Sequence, residues 1–271
     1  RILYILTGLL GIVMAILIRI GVREVPRGSS EPELKDLEIR TKKIPGWTQF
    51  KNLLKIPTLR TLFLQGAIGV LPWQVITFWS FRYLEIDRGL SPDAVASVMT
   101  PAVLMIALGY FLGGVLGDTA YRKDPRGRLF VALMGVIIGA LLLSVTLNIS
   151  LERTRLFQIF LALTCFFIPL ASPNIATAVY DVVVPEVRSS ATSIQYFLGN
   201  LGSAFAPLIA GIIAERSSLQ TAILSISIVS WGLSAVILAY GIKHLPVDMA
   251  KLRSELKNRA KILANAESTQ V

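Results

Sequence analysis

The sequence predicts an all-α polytopic membrane protein with seven transmembrane helices. Apolar residues make up 54% of the 271 residues and charged residues 16%, whereas a soluble domain carries about 25% charge. Seven apolar stretches follow one another, each close to the roughly 20 residues that a helix needs to cross a bilayer. Helices satisfy their own backbone hydrogen bonds in lipid. The spans are predicted at 2–18, 58–82, 94–117, 128–148, 155–180, 189–214 and 219–242.

Positive charge falls in alternate gaps between these spans. Of the 27 Lys and Arg residues, 21 lie in the gap after the first span, around 118–128, at Arg188 and in the tail, and the other six lie in the remaining gaps. Because Lys and Arg accumulate on the cytoplasmic side, the C-terminus is predicted inside and residue 1 outside. The same distribution explains the net charge of +10 without nucleic acid. The lipid bilayer is the predicted partner.

Residues that carry metal or nucleophile chemistry are scarce. Cys165 is the one cysteine and lies within an apolar run, and His244 is the one histidine and follows the last span. With one residue of each kind, a zinc site or a Cys–His nucleophile pair is nearly excluded. We therefore expect no metal, no cofactor and no enzymatic activity.

The chain is expected to divide into four parts. It starts at Arg1 directly in an apolar run, with no small-residue cleavage site, which favours a cut through a longer protein over a secretory signal. Residues 20–57 begin as a polar, turn-rich linker, and Trp47, Phe50 and Leu54 then recur at helical spacing, which suggests a short interfacial helix facing lipid. The parts are 1–19 as an isolated span, 20–57 as a cytoplasmic connector, 58–243 as a six-helix bundle and 244–271 as a cytoplasmic tail.

The tail is predicted to form its own amphipathic helix. Asp248 is a candidate N-cap, and Met249, Leu252, Leu256 and Leu263 then share one face. Basic residues beside that face could meet anionic headgroups. A solvated tail without a partner explains the pattern equally well.

Small residues four apart suggest close helix packing within the membrane. Such spacing lets helix backbones approach where lipid provides no hydrophobic drive. The candidate packing residues are Gly109, Gly113, Gly117, Gly135, Gly139, Gly199 and Gly211. Prolines at 72, 101, 169, 173 and 207 also interrupt the spans, and each is expected to bend its helix.

Two loops and the connector carry a family resemblance. Small residues close the third span, Asp118 follows Gly117, and a basic-Gly-basic cluster, Arg126-Gly127-Arg128, opens the fourth. Val184-Pro185-Glu186-Val187-Arg188 matches a Pro-Glu-x-Arg element. The pattern resembles the major facilitator superfamily, as the last helix of its first bundle plus its complete second bundle. About four extra residues, Asp124-Pro125 among them, separate Asp118 from the basic cluster, which departs from the usual loop. Ile56-Pro57-Thr58, Gln65-Gly66 and Leu71-Pro72-Trp73 further resemble the spinster-like branch.

The resemblance implies a transporter that works by alternating access. Its substrate would be a small organic or lipid-like molecule, and a coupling proton or ion is possible. The first bundle would lie in a missing N-terminal part of the same protein. No Asp or Glu lies deep in a span of this chain. If transport is proton-coupled, the carboxylate is therefore expected in that part; if nothing titrates there, a facilitated or lipid-like mechanism is favoured.

The resemblance also implies an ionic latch at the cytoplasmic ends of the helices. Asp118 would pair with Arg122 or Arg128, which would bridge to Asp181 or Glu186. The alternative is that these charges only orient the spans and stay solvated. The candidate residues are Asp118, Arg122, Arg126, Arg128, Asp181, Glu186 and Arg188.

Polar residues deep in the spans are candidates for the substrate pathway, since such residues are costly in a membrane. They could equally join helices through hydrogen bonds. The candidates are Gln65, Trp73, Gln74, Thr77, Asn174, Thr177, Gln195 and Asn200.

Other membrane classes fit less well. A seven-helix receptor would lack the two basic loops and the long connector, and a retinal protein needs a Lys buried in its last span. A membrane-embedded hydrolase needs an in-span Ser–His pair or paired carboxylates. The alternatives that remain beside a transporter are a receptor and a non-transporting membrane scaffold.

Overall fold

The computed structural model describes residues 2–22 and 46–268. Most of the predicted connector lies outside the described residues, as do the side chains of Trp47 and Leu263. The described residues are helical with short turns and contain no strand. Among these described residues, seven helical segments are long and apolar enough to cross a membrane, which confirms the predicted all-α polytopic fold and the seven predicted spans.

The chain divides into two units. One contains helix α1 (Ile2–Gly21) and the end of the chain from Lys257. The large apolar side chains of α1 are exposed along its whole length, as expected of a span whose surroundings are lipid. The other unit, Lys42–Leu256, contains the six remaining spans and every site described below.

Three of those six spans are broken in the middle, each at a proline. Pro72 and Pro207 are the second residues of the helices that form the second halves of their spans, and Pro169 lies in a 3-10 turn. A proline lacks the N–H that would continue the helical ladder, so the helix restarts there. The broken spans are α3 (Pro57–Gly69) with α4 (Leu71–Arg82), α7 (Thr154–Phe167) with α8 (Ala171–Tyr180), and α9 (Arg188–Ser203) with α10 (Ala206–Arg216).

Two unbroken spans form a hairpin that encloses the α7–α8 span. They are α5 (Pro92–Lys123), which continues through Pro101, and α6 (Gly127–Leu147). A Cβ at Gly113 would lie 2.7 Å from the Leu170 backbone, and one at Gly135 would lie 2.8 Å from the Phe167 carbonyl oxygen. Both separations are shorter than packed atoms allow, so glycine lets α5 and α6 approach the α7–α8 backbone from two sides.

The short helix before the bundle packs on protein. Helix α2 (Gly46–Leu53) buries Leu53 in the core, and Leu54 packs against the same core. Gln49 Oε1 accepts a hydrogen bond from Ser190 Oγ at 3.1 Å, which ties α2 to α9. Of the predicted lipid-facing side chains, Leu54 therefore faces the bundle.

The last span and the tail form one helix, α11 (Leu219–Ser268), which continues through Pro246. The prediction of a separate tail helix capped by Asp248 is wrong. Asp248 lies inside α11 and is 5% exposed. Its carboxylate accepts hydrogen bonds from α3 and caps no turn of its own helix. The predicted apolar face of the tail is present, and Met249, Leu252 and Leu256 are all buried.

Candidate functional site

A tight turn places α6 directly beside the end of α5. Asp124 Oδ1 accepts a hydrogen bond from the Arg126 backbone N–H at 2.7 Å, and the Asp124 carbonyl accepts one from Gly127 N–H at 2.8 Å. A Cβ at Gly127 would overlap the Ala120 backbone, so this approach requires glycine. The extra Asp124-Pro125 segment is absorbed in the turn, and Arg128 lies next to α5.

Arg128 joins the ends of three helices. Its Nη2 donates to Asp118 Oδ1 at 2.9 Å on α5, and its Nη1 donates to Asp181 Oδ2 at 2.6 Å, directly after α8. The guanidinium carbon lies 3.8 Å above the ring centroid of Tyr121, within the range of a cation–π interaction. The flat guanidinium can make these contacts at once because its donors fan out in one plane.

The two ion pairs differ in their exposure. The Asp181 side chain is 17% exposed and that of Asp118 is 63% exposed, against 12% for Arg128. A water-exposed pair is screened and contributes about 0–1 kcal/mol, whereas a pair shielded from water is held more strongly. The Arg128–Asp181 pair is therefore the firm part of this cluster, and the Arg128–Asp118 pair is the part that can open at little cost.

The remaining latch candidates lie around this cluster. Arg188 is the first residue of α9, and its Nη2 donates to the Tyr180 carbonyl at 3.2 Å, which connects α9 to the end of α8. Glu186 is half-buried in the turn before α9. Arg122 and Arg126 are exposed, and neither forms an ion pair with another described residue.

A central cleft of about 220 Å³ lies between α3 and α9, closed from behind by α6, α8 and α11. Four of the predicted pathway residues line it: Gln65, Trp73, Gln195 and Asn200. Glycines bring the two walls together, because a Cβ at Gly199 would lie 3.3 Å from the Gly66 carbonyl oxygen. The cleft thus exposes amide and aromatic groups in an otherwise apolar bundle.

The other four pathway candidates do not line this cleft. Asn174 is buried, and its amide donates to the carbonyls of Gly113 and Leu170, both at 2.8 Å. Thr177 Oγ1 donates to the Pro173 carbonyl within its own helix at 2.8 Å. Gln74 is half-buried and Thr77 is exposed, both on α4. Asn174 in particular joins α8 to α5.

A line of polar contacts fixes α3 against α11 behind the cleft. Gln65 Nε2 donates to Ser234 Oγ at 3.2 Å, and Trp231 Nε1 donates to the Gly69 carbonyl at 3.2 Å. At the start of α3, Asp248 Oδ2 accepts hydrogen bonds from both the backbone N–H and the hydroxyl of Thr58. We call these three contacts the α3–α11 seam. Gln65 is held in the cleft wall by this seam.

Several residues of these sites were missed by sequence reasoning. Tyr110, Ser172, Tyr196 and Trp231 also line the cleft, and Tyr121 supports Arg128. Aromatic and serine residues are common throughout these spans, so nothing in the pattern singles out these positions. Only Tyr121 carried a usable signal, since it lies three residues after Asp118 and hence on the same helical face.

The family is decided by a match over the first part of the chain. Residues 1–153, which include the Asp118–Arg128 turn, match the family model described as Major Facilitator Superfamily. The chain belongs to the major facilitator superfamily. It is an integral membrane protein of that superfamily, and the resemblance carried by its loops is confirmed.

Curated relatives of this superfamily member are named as transporters rather than enzymes. The chain is 24% identical over 222 residues to a hexuronate transporter of Bacillus subtilis, covering 80% of this chain and 52% of the relative. It is 26% identical over 220 residues to an MFS-type efflux pump of Mycolicibacterium smegmatis, covering 79% and 48%. A probable galactarate/D-glucarate transporter of Pseudomonas putida is 26% identical over 202 residues, covering 73% and 43%. The chain spans about half the length of these relatives.

A solved structure shows the same fold. The crystal structure of a bacterial homolog to the human lysosomal transporter Spinster, in an inward-facing and unoccupied conformation, aligns with 96% of this chain and 60% of its own. The TM-score is 0.51 and the sequence identity is 18%. The likeness confirms the spinster-like resemblance at the level of the fold.

Proposed function

We propose that this chain is part of a membrane transporter that works by alternating access. Helix α1 is the last helix of a first bundle, residues 20–57 connect it to the second bundle, and residues 58–243 form that second bundle. The tail and the Asp118–Arg128 turn lie on the cytoplasmic side, where the excess of basic residues favours them. Transporters of this architecture bind substrate near mid-membrane between two bundles, and we assign that role to the central cleft.

The cleft between α3 and α9 is the observation that carries this proposal. It lies at the mid-helix breaks, since Gly69, Val70 and Pro169 are among its lining residues. Polar groups at that depth are expensive unless they serve a ligand or another helix. Gln195 and Asn200 bring amides to this cleft, and a facing bundle would close it into a cavity.

The lining supports a small polar organic substrate. Amide groups hydrogen-bond hydroxyls, and the rings of Trp73, Tyr110 and Tyr196 offer flat apolar faces to a carbon skeleton. The described lining contains no charged side chain, so this bundle contacts an uncharged part of the substrate. The names of two relatives, which specify hexuronate and galactarate/D-glucarate, fit a polyhydroxylated molecule of this kind.

The Arg128 cluster supplies the gate in this proposal. Arg128 links α5, α6 and α8, and Arg188 links α8 to α9. Closing one end of the bundle needs contacts that form and break at low cost, and the exposed Arg128–Asp118 pair has that property. A coupled proton would require a carboxylate elsewhere in the full-length protein, because none of the described residues that line this cleft is an Asp or Glu.

Uptake by the full-length protein tests the proposal. Proteoliposomes receive labelled D-glucuronate, D-glucarate or lysophosphatidylcholine, and initial rates are compared with empty liposomes. We expect uptake of a sugar acid, and a loss of about tenfold in kcat/KM for Gln195→Ala and Asn200→Ala, since one lost hydrogen bond is worth about 1.4 kcal/mol.

Gln74→Ala is the matched control, because the half-buried Gln74 side chain carries an amide on α4 but is not among the residues that line the cleft. It should keep its rate within about twofold. Uptake of lysophosphatidylcholine alone would replace the sugar-acid class with a lipid-like one. Absence of uptake for all three compounds would reject both substrate classes. An equal loss in Gln74→Ala would reject the cleft as the substrate site.

A further inference from the structure

The surface of the α5–α6 hairpin carries a second concavity, away from the central cleft. Its volume is about 440 Å³, and Phe167 and Leu170 close its inner end. We call it the α5–α6 groove. Its walls are formed by Leu116, Thr119 and Lys123 of α5 and by Phe130, Met134 and Ile138 of α6.

The groove covers about two-thirds of the depth of one leaflet. Leu116 and Lys123 are seven residues apart, so the α5 wall runs roughly 10 Å along the helix. One leaflet contributes about half of the roughly 30 Å hydrocarbon thickness. Lys123 is the last residue of α5 and of the helical segment, Pro92–Lys123, that is long and apolar enough to cross a membrane. Phe167 and Leu170 lie at the break in the middle of the α7–α8 span.

The groove is apolar along its length and carries a positive charge at the end where α5 stops. Leu116, Phe130 and Met134 leave 47%, 56% and 42% of their surfaces exposed. The Thr119 hydroxyl donates to the Val115 carbonyl at 2.7 Å and is thereby satisfied. Lys123 is exposed and forms no ion pair within the part of the chain that the structure describes. The Lys123 ammonium therefore provides a positive charge at this end of the groove.

We propose that the α5–α6 groove binds an anionic phospholipid from the leaflet on the Lys123 side. One acyl chain lies between α5 and α6, and the phosphate pairs with the Lys123 ammonium. A partner helix is a poorer occupant, since helices associate in membranes through small residues and this rim carries Leu, Phe and Met. The inference does not depend on the identity of the transported molecule.

Native mass spectrometry of the full-length protein tests the inference, with palmitoyl-oleoyl phosphatidylglycerol titrated against the phosphatidylcholine of the same chains. We expect one preferentially retained phosphatidylglycerol. Lys123→Gln should weaken it about fivefold, the effect of one headgroup–lysine attraction, and Arg122→Gln should not. Met134→Trp, which fills the groove, should also weaken it, whereas Ile137→Trp on the adjacent exposed surface should not.

Each control can overturn the inference. Equal weakening by Lys123→Gln and Arg122→Gln would mean general attraction to a basic loop rather than a site. Equal retention of phosphatidylcholine would remove the role of the charge. Unchanged retention in Met134→Trp would remove the acyl-chain groove, and displacement of the lipid by sn-glycerol 3-phosphate alone would reduce the site to its headgroup contact.

Discussion

Asp248 of α11 caps the first turn of α3, 190 residues earlier in the chain. Its Oδ2 accepts the Thr58 hydroxyl at 2.7 Å and the Thr58 backbone N–H at 3.0 Å. The first four N–H groups of a helix lack partners inside the helix, and their end carries partial positive charge. The N-cap position of α3, Ile56, offers no side-chain acceptor. The buried carboxylate of Asp248 therefore serves as the acceptor that the N-cap residue lacks.

We expect Thr58 and Asp248 to be energetically coupled. Asp248→Ala removes both hydrogen bonds and leaves two buried donors, which should lower the free energy of unfolding by about 2–3 kcal/mol. Thr58→Val removes the hydroxyl alone and should cost about 1 kcal/mol. The double variant should lose about 1 kcal/mol less unfolding free energy than the sum of the two single losses. Denaturant unfolding in detergent measures all three values.

Asp248→Asn serves as the conservative variant, because an amide oxygen can still accept from Thr58. Thr119→Val is the control for the hydroxyl, since Thr119 is exposed and donates within its own helix. If Asp248→Ala and Thr58→Val were strictly additive, the cap would not hold α3 to α11.

The spans could be predicted because lipid imposes a simple rule on sequence. A stretch such as 128–148 must be apolar over its full length, and the structure places α6 at Gly127–Leu147. Asp248 shows the limit of this reasoning. An Asp before an amphipathic pattern is typical of an N-cap, and nothing local reveals that α11 continues through Pro246 or that Thr58 supplies the partner.

The Arg128 cluster was partly predictable for a related reason. The family pattern narrowed the partner of Asp118 to Arg122 or Arg128, but choosing between them requires the geometry of the turn. Asp124 and Gly127 decide it by folding the extra residues into a tight connection. The contact between the Tyr121 ring and the Arg128 guanidinium depends on the same turn.

Breaking the Arg128 pairs one at a time should separate gating from stability. Asp118→Asn should change the free energy of unfolding by less than about 1 kcal/mol, because the pair is exposed, while transport by the full-length protein is lost. Asp181→Asn should cost more stability, on the order of 2 kcal/mol, because it removes a charge-assisted hydrogen bond shielded from water. Uptake rates and thermal unfolding of the same preparations measure both effects.

Arg122→Gln is the matched control in the same turn and should leave transport and stability unchanged. Arg128→Lys should behave like a loss of the arginine, since a lysine ammonium cannot reach both carboxylates and also stack on Tyr121. Wild-type flux in Asp118→Asn would remove the latch from the mechanism.

Gly117 and Gly114 should respond in opposite directions to alanine. A Cβ at Gly117 would overlap the Asn174 amide, and moving that amide disturbs its hydrogen bonds to Gly113 and Leu170. Gly117→Ala should therefore destabilise by about 1–3 kcal/mol. A Cβ at Gly114 meets nothing within 4 Å, so Gly114→Ala should be neutral or slightly stabilising. Thermal unfolding that ranked the two variants alike would contradict the close packing of α5 on α8.

Single cysteines at positions 122 and 153 should be labelled from opposite sides of the membrane. Arg122 and Arg153 are both exposed, and α6, with 21 residues, separates them by about 30 Å, the thickness of the hydrocarbon core. The background is Cys165→Ala, which removes the one thiol of this chain, together with replacement of any cysteine elsewhere in the full-length protein.

A membrane-impermeant maleimide added to intact cells should react at 153 and spare 122, because the basic turn is expected to face the cytoplasm. Inverted vesicles should reverse the pattern. Reaction at both positions from the same side would mean that α6 does not cross the bilayer. Reaction at 122 alone in cells would invert the proposed orientation while keeping the span.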